Sequence, residues 1–236
     1  MSSMPSNVTD WNQVTAVGNI IIAIGTVILA IVAIFGRSIS RFLRRPRLRP
    51  AIISGPPYCH KTFFSIPDTG EHLADCYYFR ISVVNEGKES ARNVEVFAKR
   101  LMRKSKDGTY KIISSFSPMN LIWSDWGKMI FPAIHPGTEK LCDIFHIVDP
   151  SERKKIPYED DVRDGMTPDR IILSFDTRTK SNTKGHLQPA GEYHLEIVVA
   201  AENANPRQAT LRIESTGEWI DNEDRMLAEG IAFGLT

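Results

Sequence analysis

The sequence predicts a mainly β protein in which one N-terminal transmembrane helix precedes an antiparallel β-sandwich with a short C-terminal helix. Residues 14–35 carry no charged side chain, and six arginines follow within residues 37–49. From residue 76 onward, apolar and polar residues alternate in several short segments separated by Gly, Pro and Asn. An uncharged run of this length is typical of a membrane span, and short alternating segments are typical of a β-sandwich. We therefore divide the chain into a short extracytoplasmic N-terminus (1–13), a transmembrane helix (14–36), an Arg/Pro-rich juxtamembrane neck (37–50) and a β domain (51–236).

The uncharged run is long enough to cross a membrane as a helix. Its 22 residues span about 33 Å at 1.5 Å per residue, against a hydrocarbon core of about 30 Å. Thirteen of them are Val, Ile, Leu or Phe, which together favour insertion by about 4–8 kcal/mol. A buried core helix and a cleaved signal peptide are the alternatives, but signal peptides begin with basic residues, and no Lys or Arg precedes residue 37. We expect a retained anchor.

The six arginines after the run predict its orientation. Positively charged residues beside a span are retained on the cytoplasmic side, so we expect the N-terminus outside and the β domain in the cytoplasm. The same side chains can contact anionic lipid headgroups, at up to about 1 kcal/mol each. They are Arg37, Arg41, Arg44, Arg45, Arg47 and Arg49.

Small and polar residues within the span recur at alternating spacings of three and four, which is a heptad seam. Small residues let membrane helices approach closely, and Asn or Thr can hydrogen-bond to a neighbouring helix. We expect the helix to self-associate or to dock on a partner membrane helix, with a water-lined pore as the alternative. The seam consists of Ala16, Asn19, Ala23, Thr26, Ala30 and Ala33.

Charge and cysteine content restrict the partners of the β domain. Residues 51–236 contain 23 basic and 27 acidic residues, a net charge of −4, which argues against a nucleic-acid surface. The cysteines, Cys59, Cys76 and Cys142, are three in number, whereas secreted domains more often carry an even set in disulfides. We expect free thiols in a reducing compartment.

Six segments show the alternation expected of strands, and the weakest of them, EKLCDIFHIV, follows a His-Pro-Gly turn. Two longer connections, 103–137 and 149–169, exceed what a minimal sandwich needs, and long connections are often functional. The segment from Asp221, DNEDRMLAEGIAF, is expected to form a short helix whose acidic first residues suit the helix dipole. The expected strands are CYYFRISVV, ARNVEVFAKRL, EKLCDIFHIV, RIILSFDT, GEYHLEIVVAA and ATLRIES.

Two segments carry a resemblance to a known family. YYFRISVVNEGKESARNVEVFAK resembles the strand, Asn-x-Gly and strand signature of bacterial Ig-like domains of the cell-adhesion-related type. PAGEYHLEIVVAAENANPRQATLRI is similar to the closing hairpin of such domains. One N-terminal span, a basic neck and this type of domain also resemble a group of bacterial membrane proteins of unknown function. The resemblance implies an Ig-like sandwich with a non-catalytic binding function at the bacterial inner membrane, and it supplies no ligand.

The motifs tested for chemistry do not indicate an enzyme. Zinc would need Cys59, His60, His72 and Cys76, whose spacing does not match a zinc finger. Cys142 and His146 would share a face of a regular strand but lack further catalytic groups, and the acidic residues at 160, 161, 164 and 169 lack the Ca²⁺ loop register. The sequence also lacks a glycine-rich phosphate loop and a Gly-x-Ser-x-Gly elbow. We expect no catalytic residues, cofactor or metal.

Trp123 and Trp126 lie in one of the long connections and are candidates for a partner surface, because aromatic residues are enriched at binding hot spots. Core packing is the favoured alternative for both. We therefore expect a membrane-tethered binding or adaptor module that assembles through its helix and binds an unknown protein or small ligand. The alternative is an oligomerising effector that permeabilises the membrane, for example in bacterial defence.

Overall fold

A computed structural model describes residues 11–66, 68–124, 126–156, 159, 162–163 and 165–236, without the side chains of residues 12–13 and 36–43. Most of the expected N-terminal segment, 1–10, therefore lies outside the described residues. The chain divides into two compact units, with the boundary between Arg44 and Arg45.

The first unit contains the helix α1, Trp11–Arg44. Within it, Val14–Phe35 has a mean hydropathy of 2.7, none of its apolar window is buried, and it is long and apolar enough to cross a membrane. The expected apolar helix is thus confirmed. The helix stops at Arg44 because Pro46 disfavours helical backbone in the residue before it.

In the second unit, Arg45–Thr236, the described residues form fourteen strands in two antiparallel sheets of seven strands each. The strands are β1 Leu48–Ala51, β2 Cys59–Ser65, β3 His72–Asn85, β4 Ala91–Lys104, β5 Tyr110–Ile112, β6 Met119–Asn120, β7 Ile122–Trp123, β8 Ile130–Ile134, β9 Glu139–Val148, β10 Ile172–Phe175, β11 Leu187–Pro189, β12 Glu192–Ala201, β13 Ala204–Ser215 and β14 Ile231–Leu235. In the first sheet the strand order is β1-β3-β9-β10-β11, and β2 also pairs with β3 and β7 with β9. In the second sheet the order is β14-β13-β12-β4-β5, and β6 and β8 also pair with β4.

The hydrophobic core lies between the two sheets. Alternate residues of β3, such as Tyr77 and Phe79, pack with alternate residues of β4 and β12, such as Val96 and Ile197, in one buried cluster. Phe79 stacks on Phe145 of β9 with ring centroids 4.5 Å apart. Apolar side chains at every second strand position therefore place one face of each sheet in the core. The expected β-sandwich is confirmed.

The Asn85–Gly87 turn fastens the start of the unit to the sheet. The buried Asn85 amide donates to the carbonyls of Glu89 and Ile134, at 2.7 and 2.9 Å, and its oxygen accepts from Arg47 N at 3.2 Å. A Cβ at position 87 would lie 2.6 Å from Arg45 O, so only glycine allows this approach. The Asn-x-Gly motif of the family resemblance therefore has a structural role, which is to hold residues 45–47 against the sheet.

Two boundaries differ from the expectations. Residues 48–50, expected in the Arg/Pro-rich neck, belong to β1 and pair with β3, because the 45–47 segment is held against the Asn85 turn. At the other end, the helix covers only Glu223–Arg225 and one wider turn, Met226–Gly230. Ile231–Leu235 instead pairs with β13, where Ile231 fills the core.

Candidate functional site

The seam residues lie along one exposed stripe of α1. The Thr26 hydroxyl already donates to the Ile22 carbonyl at 2.8 Å, so it is satisfied within the helix. No described residue hydrogen-bonds to the side-chain amide of Asn19. Asn19 is therefore the polar side chain of the seam best placed to bond to another helix. The association of helices through the seam stays a prediction.

The arginines after the span occupy different environments. The side chains of Arg37 and Arg41 lie outside the described residues, and Arg44 and Arg47 are exposed. Arg49 donates to Glu86 at 2.5 Å, and Arg45 donates to Asn205 at 3.4 Å. Arg45 and Arg49 therefore bond within the β unit to which they belong, and the role of the six arginines in lipid binding and orientation stays a prediction.

Trp123 and Trp126 do not form a common surface. Trp123 is completely buried, and its indole N–H donates to Met129 O at 3.0 Å. It is a core residue, so its assignment to a partner surface is wrong. Trp126 is 43 % exposed, with the Lys128 ammonium 4.7 Å from its ring centroid, and remains a candidate.

The possible metal ligands of β2 and β3 are dispersed. Cys59 packs in the core, whereas Cys76 packs in a small apolar cluster on the outer face of the first sheet. Burial raises the thiol pKa of Cys59 to about 11 and that of Cys76 to about 12. The zinc set considered from sequence is therefore not assembled. Asp160, Asp161 and Asp164, considered for calcium, lie outside the described residues.

His72, Asp75 and Glu152 do lie close enough together to ligate a metal ion. Their carboxylates are engaged otherwise, since Asp75 pairs with Lys61 at 2.8 Å and Glu152 with Lys155 at 2.7 Å. The two ammonium groups compete with a cation for the same oxygens, so this group is a poor metal site.

A buried polar cluster on the outer face of the first sheet was not expected from the sequence. His146 of β9 and Ser174 of β10 are opposite each other in register, and Asp176 follows β10. His146 Nδ1 lies 2.9 Å from Asp176 Oδ1, and its Nε2 lies 3.4 Å from Glu159 Oε1. Glu159 belongs to the 149–169 connection, so this connection covers the sheet and supplies one carboxylate to the cluster.

A β-bulge separates Cys142 from His146, which a regular strand would place on the same face. The pairing of β3 and β9 shifts between Phe79 and Arg80, so that Ile144 has no opposite partner. Cys142 consequently packs in the core, while His146 lies outside among Asp176 and Glu159. A polar residue inside the apolar run IFHIV was the available sequence signal for a buried histidine.

Electrostatics hold the cluster in an ionised form. Burial by itself lowers the pKa of His146, but the Asp176 and Glu159 carboxylates reverse this and raise the pKa to about 10. Burial raises the pKa of Glu159, whereas His146, Lys180 and Ser174 lower it, to about 2. At neutral pH the imidazolium therefore lies between two carboxylates.

This arrangement differs from a hydrolytic Ser-His-Asp triad. Ser174 Oγ donates to Glu159 Oε1 at 2.9 Å, and the Nε2 of His146 faces that same oxygen. An imidazolium has no lone pair with which to accept the serine proton. The cluster instead joins the 149–169 connection to the sheet by charge.

Next to this cluster lies His186, which lines a cavity of about 520 Å³ formed by residues 178–186. Its side chain is nearly inaccessible, and neither ring nitrogen has a hydrogen-bond partner among the described residues. Burial, followed by the nearby Lys180 ammonium, lowers the pKa of His186 to about 4. His186 is therefore a neutral imidazole in contact with a cationic cavity.

No protein-family model, curated protein or solved structure matches this chain.

Proposed function

We propose that this protein is a membrane-tethered binding module, with a cytoplasmic β domain held at the bacterial inner membrane by α1. The observation that carries the proposal is the apolar window of Val14–Phe35, none of which is buried within the described chain. Apolar area of this size requires cover by lipid or by other helices. The arginines after it favour an N-out, C-in orientation.

An Ig-like sandwich is the second part of the proposal. Strand β3 pairs with β9 in one sheet, while β4, β12 and β13 are neighbours in the other. The same order relates strands B and E, and strands C, F and G, in immunoglobulin-type sandwiches. Domains of this architecture commonly bind through exposed loops, and tethering raises the effective concentration of such a domain for partners at the membrane.

We infer that the tether also assembles the protein through the Asn19 seam, as a homo-oligomer or with a partner helix. The polar Asn19 amide, exposed on the same stripe as the seam alanines, supports a helix neighbour over lipid alone. The rival function, an effector that permeabilises the membrane, would use the same seam. The β domain then offers Trp126 and the 149–169 connection as places for partners.

The test uses full-length protein in its membranes. We expect it to resist carbonate extraction, to be protected from protease added outside spheroplasts, and to crosslink as a defined oligomer. Ala23→Leu/Ala30→Leu places bulk on the seam and should abolish the oligomer, whereas the control Ile21→Leu/Ile28→Leu, off the seam, should retain it. Release by carbonate would refute the tether.

The rival effector function predicts a different outcome of overproduction. A binding module should accumulate without changing the membrane potential, measured with a potential-sensitive dye. A collapse of the potential that Ala23→Leu/Ala30→Leu suppresses would instead establish the effector.

A further inference from the structure

The connection between β7 and β8 exposes a group of large apolar side chains. Seven large apolar side chains of the described β unit are exposed, and three of them, Trp126, Met129 and Ile130, lie within five residues. The other four are scattered along the chain. Isolated exposed apolar residues are ordinary, whereas a contiguous group indicates a contact surface. We call residues 126–131 the Trp126 segment.

The Trp126 segment is fixed to the core by hydrogen bonds and ring contacts. Trp123 N donates to Lys128 O, and Trp126 N donates to Trp123 O, both at 3.1 Å. The Trp123 indole N–H donates to Met129 O at 3.0 Å. The Phe131 ring centroid lies 5.5 Å from that of Trp123 and 6.1 Å from that of Trp126. The apolar side chains are therefore held at the surface, and little conformational entropy is lost when they bind.

Two lysines flank the apolar group. The Lys128 ammonium lies 4.7 Å from the Trp126 ring centroid, and the Lys140 ammonium lies 5.2 Å from that of Phe131. Neither ammonium pairs with a carboxylate in the described part of the chain. Asp125, which precedes the segment, lies outside the described residues. The segment thus combines an exposed tryptophan with two cations that are available to an anion.

The segment lies at the end of the sheet where the β unit begins. Lys140 is opposite Val83 of β3, and Val83 is opposite Pro50 of β1. Neighbouring strands are about 4.8 Å apart, so about 10 Å separates Pro50 from Lys140 across the sheet. The unit begins at Arg45, ten residues after Phe35, the last residue of the apolar window. A bilayer that contains this window is therefore within reach of the segment.

We propose that the Trp126 segment inserts into the headgroup region of an anionic lipid bilayer, with Trp126, Met129 and Ile130 against the upper acyl chains and Lys128 and Lys140 against lipid phosphates. This rests on the proposed tether and deepens it, because it makes the membrane surface a ligand of the β domain. Tryptophan beside basic residues is the combination that membrane interfaces favour. The lysine stems lie along apolar atoms while the ammonium groups extend to the headgroups.

Charge favours an anionic lipid surface as the occupant and restricts the contact to this segment. Each lysine near an anionic leaflet is attracted to it. Residues 51–236 carry a net charge of −4, so the same leaflet repels the rest of the domain. Glu139, the acidic neighbour of Lys140, accepts hydrogen bonds from the Tyr58 hydroxyl at 2.7 Å and from Ser82. The contact therefore also sets which side of the domain faces lipid.

The experiment reports the environment of position 130 in full-length protein. The three native cysteines are buried, so a thiol-specific nitroxide labels Ile130→Cys selectively. Nanodiscs contain phosphatidylcholine with or without phosphatidylglycerol, and relaxation of the nitroxide by oxygen, which partitions into lipid, is compared with relaxation by an aqueous nickel complex. The matched control is Ile112→Cys, because Ile112 is also an exposed isoleucine but belongs to β5, which pairs with the other end of β4.

With phosphatidylglycerol present, we expect the label at position 130 to be accessible to oxygen and shielded from nickel, and the control label to be accessible to nickel in both kinds of disc. Lys128→Gln/Lys140→Gln should lower the oxygen-to-nickel ratio at position 130 at least about threefold, because it removes the attraction to the anionic surface. Lys106→Gln/Lys111→Gln removes the same charge from exposed positions beside β5 and should leave the ratio unchanged.

Equal accessibility of the labels at positions 130 and 112 in both kinds of disc overturns the proposal, as does a ratio that Lys128→Gln/Lys140→Gln leaves unchanged. A photocrosslinking methionine analogue at position 129 identifies what covers the segment. A lipid adduct supports the proposal, whereas an adduct with protein assigns the surface to a protein partner and overturns it. Carbonate extraction tests the tether separately, so a retained protein with a water-exposed label at position 130 keeps the tether and loses this contact.

Discussion

His146 Nδ1 lies 2.9 Å from Asp176 Oδ1 on the outer face of the first sheet, where both side chains are buried. Glu159 approaches the other ring nitrogen at 3.4 Å. One cation thus separates two buried carboxylates, one from the sheet and one from the connection that covers it. The relationship makes the attachment of the 149–169 connection dependent on charge, and the first two predictions concern this attachment.

Replacing His146, the cation between the two buried carboxylates, should destabilise the β domain. In His146→Gln the two carboxylates remain buried without a positive charge between them, and we expect a loss of about 3–5 kcal/mol in the free energy of unfolding. Urea unfolding of the detergent-solubilised chain, followed by tryptophan fluorescence, measures it. His135→Gln, at an exposed histidine, should change it by less than about 0.5 kcal/mol. His146→Gln/Glu159→Gln should be more stable than the single variant, and a further loss would contradict the charge argument.

Stability should fall in mildly alkaline solution. The folded pKa of His146, about 10, is above its unfolded value of 6.5, so its contribution is complete below pH 6.5 and is lost as the pH rises towards 10. Between pH 7 and 8.5 the unfolding free energy should fall by up to about 1.4 kcal/mol per pH unit. The cysteine thiols add a loss of the same sign only from about pH 9, where they ionise in the unfolded chain. His146→Gln should show a flat profile in this window, and an equal slope in both proteins would assign the effect elsewhere.

The sandwich could be predicted from the sequence because apolar and polar residues alternate along β3, β4 and β12. This alternation directly indicates that one face of each strand is buried. The outer cluster could not, because its members come from three distant segments and His146 reaches that face only through the bulge at Ile144. Trp123 and Trp126 look alike in sequence, and only tertiary packing separates a core tryptophan from an exposed one. The 178–186 segment contains ordinary surface residue types, and its cavity depends on Arg163 from another connection.

Acid should destabilise the β domain by protonating His186. Its folded pKa of about 4 is below the unfolded value of 6.5, so the unfolded chain binds the proton first and stability is lost as the pH falls from 6.5 to 4. The groups around it are Lys180, Arg163 and His146, which oppose protonation, and Glu159, which favours it. His60, whose pKa burial also lowers, contributes a slope of the same sign. Unfolding at pH 7 and 5 should show a smaller loss for His186→Gln and, separately, for His60→Gln. Identical losses in His186→Gln and wild type would show that His186 is protonated normally.

Gly185 should be intolerant of even one methyl group. In Gly185→Ala the Cβ meets the Ser115–Phe116 backbone, and overpacking of this kind costs about 1–3 kcal/mol in folding free energy. Urea unfolding of the detergent-solubilised chain, followed by tryptophan fluorescence, measures this loss. Gly234→Ala adds the same methyl group where no atom lies within 4 Å, and should leave stability near wild type. Unchanged stability in Gly185→Ala would mean that the Ser115–Phe116 backbone moves aside without cost.

Replacement of Trp123 should lower folding stability, whereas replacement of Trp126 should affect partner binding. Trp123→Ala empties a completely buried site and breaks the bond to Met129 O, for which we expect a loss of about 3–5 kcal/mol. Trp126→Ala removes a ring that is 43 % exposed and covered on one side by Lys128, so its loss should be below about 1 kcal/mol. If Trp126 contacts lipid, a photocrosslinking residue at the exposed position 130 should give a lipid adduct in wild type that Trp126→Ala removes while the domain stays folded. A destabilisation by Trp126→Ala equal to that of Trp123→Ala would instead place both rings in the core, because only loss of buried packing has so large an effect.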